Sequence, residues 1–121
     1  MKDFSIASTY LFKTINKTMK KSSVLANMSS HSGEIFQTRT GKEFEMEYDG
    51  GNTFNVYPSD RQGRPAKDPH ICTVSNIEKT IDLVNSGSIS LLTTPIATIS
   101  SKGVTASASY IVGLLTDPRI V

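Results

Sequence analysis

The chain has 121 residues and a formal net charge of only +2, which excludes polyelectrolyte character. This length fits one domain spanning residues 1–121. Only 37% of the residues are hydrophobic, while Ser and Thr together number 29. We therefore expect a thin core, to which association between copies would add stability. No stretch approaches the roughly 20 apolar residues of a membrane span, so no membrane partner is expected.

Residues suited to catalysis or metal binding are scarce. Cys72 is the single cysteine, and His31 and His70 are the two histidines. One cysteine excludes an intrachain disulfide, and these three residues are too few for a zinc site at the usual spacing. A buried thiol is the ordinary interpretation of Cys72, and a glycine-rich phosphate loop is absent. We expect no enzyme activity, no metal and no cofactor.

The first 33 residues contain five lysines and one acidic residue, and their periodicity is ambiguous. A helix would place Phe4, Leu11, Ile15 and Met19 on one face. The segment around Tyr10 reads equally well as a strand, because it is rich in Ser, Thr and aromatic residues. The serine-rich residues 22–33 are predicted to be a loop or a weak edge strand.

Residues 34–57 predict an antiparallel meander. Apolar and polar residues alternate over residues 43–48 and again over 53–57, and the intervening Asp49-Gly50-Gly51-Asn52 suits a hairpin turn. Residues 35–40 enter this hairpin as a further strand through a turn at Gly41. The resulting sheet is apolar on one face and polar on the other, so its apolar face needs a cover.

Beyond the meander, the pattern predicts a long polar loop and a final helix. The loop covers residues 58–69, a polar stretch with three prolines and no periodicity. Residues 71–87 fit a helix capped by Ser75 and Glu78, and they also fit a strand, so this choice stays open. Residues 88–99, interrupted by Pro95, suit an edge or bent strand. The C-terminal helix is predicted over residues 104–117, with Thr105 as a possible N-cap and Pro118 beyond its end.

The polar face of the meander is the best candidate binding surface. Asn55 and Tyr57 could hydrogen-bond and stack with unpaired RNA bases. Glu43, Glu45 and Glu47 would repel phosphates if they share that face, and such a row is also the ordinary solvated face of a sheet.

Several short motifs resemble the coat proteins of the small single-stranded RNA bacteriophages, the leviviruses. The similarity spans about residues 44–120, and the motifs that carry it are Gly51-Asn52-Thr53-Phe54-Asn55-Val56-Tyr57, Ile81-Asp82-Leu83-Val84-Asn85-Ser86-Gly87-Ser88, Leu92-Thr93-Thr94-Pro95-Ile96-Ala97-Thr98, Ser100-Ser101 and Gly113-Leu114-Leu115-Thr116-Asp117.

The resemblance implies an α+β, mainly β fold, in which an antiparallel meander and a C-terminal helix are completed as an intertwined homodimer. For residues 77–84, the resemblance implies a strand of the sheet rather than a helix. It also implies self-assembly into an icosahedral shell around genomic RNA, in a virion assembled in the bacterial cytoplasm, with binding of an RNA hairpin as a translational repressor. Carried over by position, the RNA-binding residues are Thr53, Asn55 and Tyr57, with phosphate contacts from Arg39 and Lys42. The resemblance also extends the predicted loop to about residues 58–75, as an inter-subunit loop that contains Arg61, Arg64, Pro65 and Pro69.

Two other functions remain open on the sequence. One is an S8-like RNA-binding protein of the small ribosomal subunit, suggested by the basic start and by residues 100–104. The other is a small phage protein that binds a host protein.

Overall fold

The structure is a computed structural model that describes residues 18–59, 68–104 and 107–121. In chain order, its elements are α1 (Lys21–Ser30), β1 (Glu34–Gln37), β2 (Glu43–Tyr48), β3 (Thr53–Pro58), β4 (His70–Thr73), α2 (Val74–Asn85), α3 (Ile96–Ser101) and α4 (Ala108–Leu115). The fold is therefore α+β, and helices take up more of the described chain than strands do.

The four strands form one antiparallel sheet in the order β1-β2-β3-β4, which is a meander. The three-strand meander predicted from residues 34–57 is confirmed. Its hairpin turns contain Gly41 at φ +90° and Gly50 at φ +88°, which is the left-handed region that glycine enters without strain. The β2–β3 turn is also held by Asp49, whose Oδ1 accepts from the Gly51 N–H at 2.8 Å.

The fourth strand lies within the segment predicted as a loop. β4 pairs with β3, placing Cys72 opposite Phe54 and His70 opposite Val56. The predicted loop of residues 58–75 therefore contains the end of β3, all of β4 and the first residues of α2. Arg61, Arg64 and Pro65 of that loop lie outside the described residues.

One face of the sheet is buried against helices of the same chain. Phe36, Phe44, Met46, Phe54 and Val56 are at most 1% exposed. They share a single core with apolar side chains of all four helices, namely Val24, Met28, Ile77, Ile81, Ile99, Ile111, Val112, Leu114 and Leu115. The chain thus covers its own apolar face in a two-layer arrangement of helices on a sheet.

Helix α4 crosses this buried face from one edge strand to the other. Just before its first turn, Ser107 Oγ donates to the Ile71 carbonyl on β4 at 2.8 Å. The Tyr110 ring packs edge-on against Phe44, with 5.2 Å between ring centroids. Gly113 reaches β1, where an added Cβ would lie only 2.4 Å from the Gln37 carbonyl oxygen. The helix can approach β1 this closely because position 113 has no side chain.

Residues 74–85 form a helix, so the sheet implied for residues 77–84 by the coat-protein resemblance is wrong. Thr73 Oγ1 caps the helix by accepting from the Asn76 N–H at 3.1 Å, two residues before the predicted cap at Ser75. Ile77 and Ile81 are fully buried, one helical turn apart. Strand alternation would have placed these two residues on the same face as well, which is why periodicity alone left both structures possible.

Two further predictions are corrected. The serine-rich residues 22–33, predicted as a loop or weak edge strand, contain most of helix α1. In this helix Val24 and Met28 are buried in the core and form a narrow apolar stripe. Residues 88–99 contain no strand, because residues 91–93 form a turn and α3 begins directly after Pro95. Proline is well suited to the start of a helix because its fixed φ and missing N–H cost nothing there. The alternatives weighed for residues 1–17 lie outside the described residues.

On each edge strand of the sheet, one outward backbone carbonyl accepts a hydrogen bond from a side chain of the same chain. In the register of β1 and β2, Thr38 is opposite Lys42, and the Thr38 N–H donates to Lys42 O. Hydrogen-bonded pairs alternate in antiparallel sheets, so the backbone groups of Ile35 point away from β2. The Ile35 carbonyl accepts from Arg119 at 2.8 Å, as the Ile71 carbonyl on the opposite edge accepts from Ser107. These contacts oppose edge-to-edge pairing with another sheet.

Arg119 ties the C-terminal turn to β1 through several contacts. Its guanidinium donates to both carboxylate oxygens of Asp117, and Nη1 donates to Glu34 Oε1 at 2.9 Å. It also lies over the Phe36 ring, 4.0 Å from the ring centroid. Glu34 accepts in turn from His31 Nδ1 at 2.8 Å. The network joins residues from the end of α1, from β1 and from the C-terminal turn.

We predict that Gly113→Ala destabilises the protein. Alanine normally stabilises a helix interior by about 1 kcal/mol relative to glycine. Here its methyl group would collide with the β1 backbone, so we expect a net loss of about 1–3 kcal/mol in the free energy of unfolding. Urea denaturation followed by circular dichroism measures this change. Ser109→Ala in the same helix is the control, expected within about 0.5 kcal/mol of wild type; an unchanged or higher stability of Gly113→Ala would contradict the close packing.

We also predict that the Arg119 network is lost in acid. The hydrogen bond from His31, followed by that from Arg119, lowers the pKa of Glu34. Burial raises the pKa of Asp117, but its hydrogen bonds with Arg119 together outweigh burial and lower it. Carboxylates with lowered pKa values stabilise the fold above their unfolded pKa, and this stabilisation disappears as the pH falls through the folded value.

Urea denaturation at pH 7 and at about pH 3 tests this linkage. The free energy of unfolding is expected to fall less between these two pH values in Arg119→Ala than in wild type, because the variant lacks the cation that favours both ionised carboxylates. Arg119→Lys, which keeps the charge, should retain part of the wild-type pH dependence. An equal fall in wild type and Arg119→Ala would show that the network contributes nothing to acid sensitivity.

Candidate functional site

The face of the sheet opposite the helices is the candidate functional site. Strand alternation turns every second side chain of the meander away from the core, and these side chains are exposed or half-buried. We call this surface the open face. Its residues are Ile35, Gln37, Glu43, Glu45, Glu47, Thr53, Asn55, Tyr57, Ile71 and Thr73.

The strand register arranges the open face in rows across the sheet. Glu45 lies between Ile35 and Tyr57 in one row. In the next row, Asn55 lies between Glu47 and Ile71. Neighbouring strands are about 4.8 Å apart, so side chains within a row are in contact range of the same ligand. The face therefore has an acidic row along β2 and one isoleucine on each edge strand.

The two isoleucines are unusually exposed for their type. Ile35 is 46% and Ile71 is 47% exposed. Together with Leu92, they are the exposed large hydrophobic side chains among the described residues. Isolated exposed apolar residues need no explanation, but two of these three lie on one sheet face, on opposite sides of the same charged row.

The three residues expected at an RNA-binding face lie together on the open face, but so do the glutamates. Thr53, Asn55 and Tyr57 alternate along β3, and Glu43, Glu45 and Glu47 alternate along the adjacent β2. None of the ten open-face residues is Lys or Arg. The net charge of these ten residues is therefore negative, which disfavours phosphate groups. Thr53 Oγ1 is also engaged, since it donates to the Asp49 carboxylate in the hairpin turn.

The two predicted phosphate contacts are separated from this row. Arg39 turns its guanidinium to backbone carbonyls, with Nε 2.9 Å from Leu91 O and Nη1 2.6 Å from Thr94 O. It thereby anchors the turn between residues 91 and 94 rather than projecting into solvent. Lys42 is exposed in the β1–β2 turn. Pro69, assigned to the inter-subunit loop, directly precedes β4.

A cleft of about 580 Å³ borders the open face along β1. Ile35 and Glu43 line it from the sheet, and Leu92 and Asp117 line it from the segments that cover the β1 edge. The two arginines in its wall, Arg39 and Arg119, are engaged in the hydrogen bonds described above. The cleft thus continues the mixed apolar and acidic character of the open face around the edge of the sheet.

The groups with the greatest chemical reactivity lie away from the open face. Cys72 is fully buried, and burial raises the pKa of its thiol to about 11, so the thiol stays protonated at neutral pH. His70 lies on the same side of β4, with its ring centroid 5.2 Å from that of Tyr110. Within residues 18–59, 68–104 and 107–121, no group of three or more His, Cys, Asp or Glu side chains is placed to hold a metal ion.

Two features of the site were missed in the sequence. Ile71 was assigned to a loop, although it stands between a polar and an apolar residue in a pattern compatible with a strand. The roles of Ser107 and Arg119 had no local sequence signal, because their partners Ile71 and Ile35 are 36 and 84 residues away in the chain.

Among the helices in the described part of the chain, none is long and apolar enough to cross a lipid bilayer.

Comparisons with known proteins leave the open face to be interpreted from its own geometry: no family model, no curated protein and no solved structure matches the chain.

Proposed function

We propose that this chain is a binding protein without catalytic activity that docks a protein partner on its open face. The observation that carries this proposal is the pair of exposed isoleucines, Ile35 and Ile71, on either side of the acidic row. Apolar anchors surrounded by polar side chains are the usual composition of a protein interface. This function corresponds to the second of the two alternatives that the sequence left open.

The position of the hydrogen-bonding groups favours the face over the edges as the interface. Recognition by adding a strand needs a free row of backbone donors and acceptors. Here the outward carbonyls of Ile35 and Ile71 already accept hydrogen bonds from Arg119 and Ser107. Side chains of the open face, by contrast, are accessible along all four strands of the meander.

The charge of the face favours a protein over RNA. Specific RNA contacts can come from Asn55 and Tyr57, but affinity for nucleic acid depends heavily on cations that neutralise phosphates. Glu45 and Glu47 lie directly opposite those two residues in the register, and Arg39 is engaged elsewhere. The same glutamates disfavour binding of ribosomal RNA by an S8-like protein at this surface, because they would repel its phosphates.

The coat-protein function is a narrower proposal in which the partner is another copy. It is supported by the sequence motifs, whereas two observations disfavour the side-by-side dimer that it implies. The apolar face is already covered by the helices of the same chain, and one outward carbonyl on each edge strand already accepts a hydrogen bond from a side chain of that chain. We therefore place a heterologous protein partner first.

Selection from a random 17-residue peptide library displayed on phage tests the binding proposal. We expect peptides that bind wild type and lose about 30-fold in affinity for Ile35→Thr/Ile71→Thr, since each lost apolar anchor is worth about 1 kcal/mol. Threonine keeps the β-branched shape that the strands favour. Ala97→Thr, exposed on α3 in the helical layer, is the control that should leave the affinity unchanged.

Circular dichroism and thermal melts establish that the variants are folded. Failure to enrich any binding peptide, or equal binding by wild type and the double isoleucine variant, would contradict the proposal. Light scattering and negative-stain electron microscopy of the purified protein test the coat alternative. Closed particles filled with RNA would replace our proposal with shell formation, whereas a monomer or simple dimer would eliminate the shell.

A further inference from the structure

The open face also specifies the chemistry of its partner. We propose, resting on the function proposed above, that the occupant is a basic amphipathic helix of another protein. In this arrangement the helix lies over β2 and β3, parallel to the strands. Its Lys or Arg side chains pair with Glu43, Glu45 and Glu47, and its apolar side chains contact Ile35 and Ile71.

The sign of the charge selects the partner. Three carboxylates and no cation lie among the ten open-face residues, although the chain as a whole carries a net charge of +2. A second copy docking face to face would bring three more carboxylates onto this row and no cation to offset them. Nucleic acid would bring phosphates. A segment bearing Lys or Arg is the occupant whose charge complements the face.

The spacing of the glutamates matches one turn of a helix. Residues two apart in a strand are about 6.7 Å apart, so the row from Glu43 to Glu47 extends about 13 Å. Residues four apart in a helix rise about 6 Å, so cations at positions i, i+4 and i+8 extend about 12 Å along one side. A helix also satisfies its own backbone hydrogen bonds, which suits a surface that offers side chains rather than free backbone groups.

The isoleucines are placed to contact the two flanks of such a helix. Ile35 lies on β1, one strand from Glu45, and Ile71 lies on β4, two strands from Glu47. The three strand spacings between the edge strands total about 14 Å, only slightly more than the 10–12 Å diameter of a helix with its side chains. A helix lying over β2 and β3 therefore contacts both isoleucines, with Asn55 and Tyr57 beneath it.

The selected peptides provide the first test. We expect Lys and Arg to be enriched at positions four apart, with apolar residues between them, and the strongest peptide to gain helical circular dichroism when it binds. Enrichment of neutral or acidic peptides that still depend on Ile35 and Ile71 would overturn this inference and leave the proposed function standing. If peptide binding depended on neither the isoleucines nor the glutamates, both this inference and the proposed function would be overturned.

A charge-matched pair of variants provides the second test. Fluorescence anisotropy with the strongest labelled peptide should give about ten-fold weaker binding to Glu45→Gln/Glu47→Gln than to wild type, with the difference shrinking as salt is raised. Glu78→Gln/Asp82→Asn removes the same charge from α2, on the helical layer, and should change the affinity by less than two-fold. Equal losses in both double variants would show a nonspecific charge effect and overturn the inference. Tighter binding of an oligo(U) RNA than of the peptide would overturn it in favour of nucleic acid.

Discussion

The fold depends on the packing of α4 across one face of the sheet. This helix spans the sheet between the two edge strands, from Ser107 at β4 to Gly113 at β1, and places Tyr110 over the middle of the sheet. A sheet with one apolar face is unstable alone. If helices of the same chain cover that face, the chain needs no second copy to complete its core. Here the cover comes from the same chain, and the opposite face is left to interact with solvent or a partner.

Alternation along β2 and β3 made the meander predictable from sequence. Phe44, Met46, Phe54 and Val56 repeat with a period of two around a turn rich in Gly, Asp and Asn, and the structure places all four in the core. The pattern also predicted which face would be polar. It could not predict what covers the apolar face, because that depends on contacts between residues far apart in the chain.

The remaining elements were harder for specific physical reasons. Helix α1 has two buried residues in ten, too narrow a stripe to stand out from a serine-rich loop. Helix α2 was ambiguous because Ile77 and Ile81, four apart, share a face in a helix and in a strand alike. Strand β4 has four residues and follows a polar segment, so its hydrophobic pattern was too short to recognise.

The candidate site was predicted in part. Sequence alternation grouped Thr53, Asn55 and Tyr57 on the polar face, and the register now shows that the glutamates of β2 share it. Arg39 illustrates the limit: a lone arginine beside a turn gave no indication that its donors would be used by the Leu91 and Thr94 carbonyls, more than 50 residues away. The sequence therefore identified Arg39 as a cation but not the carbonyl groups that engage it.

The cover on the β1 edge has a consequence for truncated forms of the chain. Arg119 lies only four residues after the last residue of α4, so proteolysis just beyond Leu115 would remove it while leaving every strand in place. The Ile35 carbonyl would then be free to accept from a neighbouring molecule, beside an exposed isoleucine. Residues 116–121 therefore shield the β1 edge from pairing with a strand of another molecule.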